Sequence, residues 1–482
     1  MTTSEAAEAP PIIDRTAWLT LAMTAVVGFM VSLEITVISL ALPEIRASFD
    51  DAAESTISWI ITAYNIGLAS LLLVAGWAAD RYGRRRVFTT GLIVFAVGSL
   101  LAGLAPSIET LIAARILQSI GGAMQFPSGL ALLLTAFPPQ RRQMAIGVWG
   151  AMGGLAAAVG PPIGGFLVGL FGWPSVFLIN VPVAALAAVG TVLWIHESRG
   201  DVPDGRVDLI SIPLGTIGVG AIVAAIVRAE EWGWTSTAAL TTFAVAVVLI
   251  LAFVFRSRRH PRPLFDLDLF AIPSFSLGNV GSIFFVVAFF AYFVPLPTYI
   301  QEVWGWSAVR TGLVLVPGPL LAALTSPPVG RLADRIGTAP ILTVGGLSGL
   351  LAMIIHRITT STDPEPFLGV ILPGLFVGIA AGCSFAMLVG ATMRDIPPAR
   401  FAMAGAGRTT VFQLAIALAI AVGVAIVGRP DGPADHLAAL RQVWLVCAVL
   451  FAGQVVIFGL LFPRIAAQST APTIATRPSA GD

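Results

Sequence analysis

The chain has no lysine; every one of its 27 basic residues is arginine. A nucleotide-binding P-loop needs a lysine on the phosphates, and pyridoxal chemistry needs one for its Schiff base, so neither is housed here. Charge of either sign is scarce, at 11% of 482 residues with a formal net charge of +1. Phosphate backbones are held by clustered positive charge, which excludes a nucleic-acid partner. The two cysteines, Cys383 and Cys447, lie in apolar runs without metal or redox spacing; they read as small buried hydrophobes, and no disulfide is expected. Four histidines, His196, His260, His356 and His436, fall at helix ends or in loops without ligand spacing, so no metal and no cofactor is expected. What fills the chain is apolar: 57% of residues are hydrophobic and the mean hydropathy is +0.90, far outside the range of soluble domains. The composition is that of an all-α integral membrane protein. The first apolar run is too long for a signal peptide, so residues 1–16 read as a retained cytoplasmic lead.

About 20 apolar residues cross a bilayer. Runs of that order, bounded by charge or Pro/Gly turns, place fourteen helices near 17–42, 56–79, 87–105, 108–136, 143–170, 174–196, 208–228, 238–256, 274–299, 307–330, 339–357, 366–391, 403–428 and 440–463. With the N-terminus inside, nineteen loop and tail arginines fall on the cytoplasmic side and six outside, as the positive-inside rule requires. Both termini are therefore expected in the cytoplasm. GWAADRYGRRR at Gly76 to Arg86 returns as GRLADRIG at Gly330 to Gly337, each after an even-numbered helix. Duplicated bundles give such a pattern. The partition is a six-helix bundle over 17–200, an inserted helix pair with charged flanks over 201–262, a second six-helix bundle over 263–465, and a disordered cytoplasmic tail over 466–482.

Two charges stand alone inside apolar helices, Glu34 in the first and Arg115 in the fourth. An ionised side chain at that depth costs about 2.5–3.5 kcal/mol or more, and so needs a partner or a wet cavity. Glu34 lies eight residues from Leu42, the expected outer end of its helix, or about 12 Å. Arg115 lies six to seven residues from the outer end of its own, about 10 Å, so the two could meet at one level. Arg408, early in the thirteenth helix, reads either as a snorkelling surface cation or as a substrate or gating group. Asn65, Gln118 and Tyr292 could line a cavity or serve helix packing.

These residues resemble those of the major facilitator superfamily, and within it the fourteen-helix drug:proton antiporters, over nearly the whole chain. Gly76, Asp80, Arg81, Gly83 and Arg84 are similar to the loop between helices two and three of that superfamily, with Asp334 and Arg335 in the second copy. The resemblance implies a cytoplasmic gate held by Asp80. Arg115-Ile-Leu-Gln118-Ser119 resembles the arginine motif of the fourth helix. Gly160, Pro161, Pro162, Gly164 and Gly165 resemble the antiporter signature of the fifth, where small residues four apart let helices approach closely. Leu33-Glu34-Ile35-Thr36-Val37 with Ala41-Leu42-Pro43 resembles the first-helix motif, with Glu34 where aspartate is usual. The implied function is proton-coupled antiport across the inner (cytoplasmic) membrane. Hydrophobic, cationic drugs or dyes leave by alternating access as protons and cations compete for Glu34. On this reading the chain works as a monomer in the lipid bilayer, with small hydrophobic or cationic substrates and protons as its partners. Export of a lipid, peptide or metabolite on the same scaffold stays open. An integral-membrane enzyme is disfavoured, since neither G-x-S-x-G nor H-E-x-x-H occurs.

Overall fold

A computed structural model describes residues 13–49, 51–52, 54–200, 208, 210–233, 235–260, 263–427 and 432–462. Most of the expected lead and the whole of the expected tail lie outside the described residues. The described chain is helical throughout: α1 Arg15–Ser48, α2 Glu54–Tyr82, α3 Arg84–Gly103, α4 Ile108–Ala136, α5 Arg142–Phe171, α6 Pro174–Leu178, α7 Asn180–Trp194, α8 Ser211–Trp232, α9 Thr237–Arg259, α10 Pro273–Phe293, α11 Leu296–Glu302, α12 Ala308–Leu315, α13 Pro317–Ile336, α14 Thr338–Thr359, α15 Leu372–Met393, α16 Phe401–Val427 and α17 Pro433–Val456. Helix is the one open-ended element that satisfies its own backbone in hydrocarbon. Among the described residues eleven helices are long and apolar enough to cross a membrane, or twelve if Ile108–Ala136 and Pro139–Met152, bent by 115°, form one span. The expected count was fourteen. Within α8 the stretch Ser211–Ile226 is a shorter apolar helix among the described residues.

Where the helices start and stop follows local chemistry. Proline lacks an N–H and crowds the preceding turn. The expected helices 274–299 and 307–330 accordingly break at Val294-Pro295 and Val316-Pro317, into α10/α11 and α12/α13. Pro43, by contrast, is absorbed: α1 runs to Ser48, past the end expected at Leu42. Gly83 and Gly337 are each the single residue joining two helices, at φ +116° and +83°. That backbone conformation is open to glycine and strained for other side chains. The two copies of the sequence repeat are thus two copies of one sharp turn.

The same repeat sets how distant helices meet. α2 packs against α16, and α13 against α5, so the second helix of each group meets the fifth of the other. A Cβ on Gly76 would stand 2.4 Å from the Ala406 Cβ and 2.8 Å from the Ala402 carbonyl oxygen; one on Gly330 would stand 2.7 Å from the Gln143 carbonyl oxygen and 3.2 Å from the Gly147 Cα. Each glycine sits four residues before the aspartate of its copy and lets a backbone come close. Gly330→Leu is expected to destabilise by about 1–3 kcal/mol through overpacking, read as a lower unfolding midpoint in detergent. An unchanged midpoint would remove this account of the interface.

α8 packs along α9 and also on α2 and α16. Val219 and Val223 bury against Ala69 with Leu414 beside them, and a Cβ on Gly220 would lie 2.6 Å from Ser70 Oγ. Asp208, 1% exposed, ties the start of α8 to the end of α9, accepting hydrogen bonds from Arg256 Nε at 2.6 Å and Ser211 N at 3.3 Å. Burial pushes its carboxyl up, but the Ser211 and Arg256 hydrogen bonds outweigh that and hold it below the ordinary value of 3.8. A depressed carboxyl stabilises the fold above its unfolded value and loses that stabilisation as pH falls through the folded value. Between pH 5 and 3 the unfolding midpoint of the wild type is therefore expected to fall further than that of Asp208→Asn; equal slopes would contradict the tie.

Candidate functional site

Glu34 and Arg115 do meet. α1 and α2 each pack on α4, and the apolar side chains Leu33, Val37, Ile57, Ile60, Leu111 and Ala114 of the three helices belong to one buried cluster beside the pair. Glu34 is 2% exposed and Arg115 1%. Arg115 Nη1 donates to Glu34 Oε1 and also to Gln118 Oε1 at 2.9 Å, while its Nε donates to the Ile60 carbonyl oxygen at 2.9 Å. Gln118 Nε2 in turn donates to Ser99 Oγ at 2.7 Å. The guanidinium lies 4.3 Å from the Tyr64 ring centroid and 5.6 Å from that of Phe177. A buried cation gains from an aromatic face and from carbonyl acceptors as well as from its counter-ion. The remaining carboxylate oxygen, Glu34 Oε2, is buried with no hydrogen-bond partner.

That open oxygen is the chemical feature of the site. A buried carboxylate normally fills its acceptor positions. One left open can take a proton, and the proton would weaken the hold of Arg115. Of the residues singled out in the sequence, Glu34, Arg115 and Gln118 are brought into one network. Asn65 follows Tyr64 in α2 and is half-buried. Tyr292 is placed elsewhere: its hydroxyl is 3.2 Å from His356 Nε2 and its ring 5.4 Å from that of Trp444, in the packing of α10, α14 and α17. Tyr64 and Ser99 were missed; a tyrosine in an apolar helix, one of four in the chain, was the available signal.

A second cluster forms where α2 turns into α3. Asp80, 1% exposed, accepts from Arg84 Nε at 3.0 Å and Nη2 at 2.8 Å through Oδ1, and from the Met403 backbone N–H at 2.9 Å through Oδ2. Arg84 Nη2 also donates to the Pro398 carbonyl oxygen at 2.7 Å. The carboxylate thus holds the first turn of α16, where free N–H groups and the helix dipole favour negative charge. Glu197, which the sequence presented only as part of a charged loop, closes the other side: its two oxygens accept from the backbone N–H groups of Arg85 and Arg86 at 2.9 and 3.2 Å, capping α3. Arg81 lies beside this cluster, partly buried.

The second copy is looser. Asp334 stands at the first turn of α5, by Gln143 and Met144, yet both its oxygens are buried without closing a hydrogen bond there; Arg335 points outward, exposed. In α5 the backbone is helical through Gly160, Pro161, Pro162, Gly164 and Gly165, and a Cβ on Gly150 of the same helix would stand 2.7 Å from that of Ala386 in α15. Among the described residues no group of three or more His, Cys, Asp or Glu side chains could hold a metal.

A helical membrane bundle with two copies of one turn, each copy facing the fifth helix of the other group, has the architecture of a secondary transporter built from repeats. The chain belongs to the Major Facilitator Superfamily, whose family model matches residues 24–420. It is a multi-pass protein of the inner (cytoplasmic) membrane. Among its relatives is the multidrug resistance protein Stp of Mycobacterium tuberculosis, 32% identical over 421 residues that cover 86% of this chain and 76% of Stp. Another is the methylenomycin A resistance protein of Streptomyces coelicolor, 31% identical over 433 residues, 88% of this chain and 89% of that one. The structure of the proton:xylose symporter XylE superposes with a TM-score of 0.67 over 94% of this chain and 97% of XylE; at 14% identity the likeness is one of fold.

Proposed function

We propose that this protein is a proton-coupled antiporter that exports hydrophobic drugs or dyes, cationic ones among them. On this reading fourteen helices span the membrane with both termini in the cytoplasm. Two six-helix bundles, 17–200 and 263–465, alternate access around an inserted pair within 201–262. The observation that carries it is the buried Glu34–Arg115 pair with one carboxylate oxygen open. In low dielectric a proton and a cation compete for one carboxyl, so entry of the first releases the second. Asp80, clamped on the first turn of α16, closes the cytoplasmic gate in this conformation, and Asp334 is its counterpart for the other state. The names of the relatives, both resistance proteins, support drugs as cargo.

The test is ethidium movement in everted membrane vesicles with an imposed pH gradient. Uptake that starts with the gradient and stops when it is collapsed supports antiport. Uptake indifferent to the gradient overturns proton coupling, and no ethidium movement at all shifts the cargo toward lipids, peptides or metabolites.

A further inference from the structure

We propose that Arg408, with Phe412 and Phe385 beside it, binds the anionic group of flat aromatic organic anions, so that the exporter carries a second class of cargo besides the compounds that compete at Glu34. This inference rests on the export reading above. Arg408 lies seven residues into α16, about 10 Å along the helix from Phe401. A snorkelling arginine leaves its guanidinium in water; this one is 7% exposed. Its Nε is buried with no hydrogen-bond partner, and among the described residues no acid pairs with it. Arg84, Arg115, Arg256 and Arg400 each have a carboxylate. A cation held inside a membrane helix without a protein partner is costly, and such residues mark ligand or ion paths.

The surroundings suit an amphiphile. Gly405, one turn earlier on the same face, is where a Cβ would meet Leu130 Cδ2 at 3.4 Å. Leu130 in turn borders a small cleft with Gln125, Phe126 and Trp149, in the neighbouring bundle wall. On the other side, the Arg408 guanidinium lies 5.6 Å from the Phe412 ring centroid, Phe412 is 6.2 Å from Phe385, and Phe385 is 5.0 Å from Phe289, which stacks on Phe293. A charged group set among aromatic side chains is a combination that small-molecule sites use to fix and cover a ligand. A guanidinium offers two parallel N–H donors that match a carboxylate or sulfonate, and ring faces accept a flat apolar body. A cation would be repelled at this position. The helix that carries Arg408 is also the one clamped by Asp80, through Met403 five residues earlier, so cargo charge and gate share one rigid element.

Three probes with one ring system and different charge decide the matter: 2-naphthoate, 2-naphthamide and 2-naphthylmethylammonium, titrated calorimetrically into the purified full-length protein in detergent. Wild type is expected to bind the naphthoate more tightly than the amide or the ammonium. Arg408→Gln should weaken the naphthoate about tenfold or more while leaving the amide unchanged, because a bidentate charged contact is lost. Arg408→Lys keeps the charge without the fork and should fall between; it also carries the test if Arg408→Gln does not fold. No naphthoate binding by wild type, equal naphthoate affinity in wild type and both variants, or tighter binding of the ammonium overturns the proposal. Gradient-driven ethidium movement in the same preparation reports separately on the export reading.

Discussion

Glu34→Gln is expected to abolish gradient-driven ethidium transport, with a loss of about a hundredfold or to background, while the protein still folds. Glutamine keeps the size of the side chain and an oxygen that Arg115 Nη1 can bond, but it cannot take up and release a proton. The structural penalty should be modest, about 1–3 kcal/mol, since the hydrogen bond survives and only its charge is lost. Glu34→Ala is a harsher change. It leaves the guanidinium buried against Gln118, Ile60 and Tyr64 with no counter-ion, a loss of about 3–5 kcal/mol. The pair of variants separates coupling from stability: transport should vanish in both, the unfolding midpoint should drop sharply only in the second. If Glu34→Gln retained the full pH dependence of the wild type, Glu34 would be a structural ion pair and the coupling acid would lie elsewhere.

Asp80→Asn should slow transport about tenfold or more by releasing the first turn of α16. The carboxylate accepts from Arg84 twice and from Met403 once, spanning residues more than 300 positions apart in the chain. An amide can accept but brings no charge to the helix N-terminus or to Arg84. A loss of about 1–3 kcal/mol in one state shifts a two-state population 5- to 150-fold. Spin labels at Tyr82 and Arg400, both exposed, should report a longer and broader distance in Asp80→Asn than in wild type. The companion variant Glu197→Gln, which weakens only the cap of α3, should lower stability and leave that distance unchanged. A wild-type distance distribution in Asp80→Asn would show that Asp80 does not hold this interface closed.

The sequence was legible where one residue type has one physical use. The repeat placed a glycine in each of two loops, and Gly83 and Gly337 both turn there with a positive φ, although the helices close in until each glycine is the single residue between them. A charge in an apolar run must find a partner, and Glu34 pairs with Arg115, although α1 runs on past Leu42 to Ser48 and so does not end where the helix-rise argument placed it. Legibility failed where a choice depends on what lies across the interface. Pro43 continues a helix while Pro295 and Pro317 break theirs, and nothing in their flanks separates the cases. Tyr292 read equally well as cavity lining and as packing; its place beside His356 and Trp444 follows from how α10, α14 and α17 converge.

By itself the sequence determined that this is a helical membrane protein with an internal duplication, one acid and one arginine set deep in its opening helices, and no lysine chemistry. Those properties are additive along the chain: hydropathy and turn chemistry need no knowledge of distant neighbours. Tertiary structure alone decided that Asp80 seats on α16 while Asp334 stands open at α5, that Glu197 caps α3, that α8 lies on both α2 and α16, and that Arg408 is buried with no acid paired to it among the described residues. Each of these is a pairing, and a pairing between residues far apart in the chain is set by which helices are brought to touch, which packing decides and no local pattern encodes.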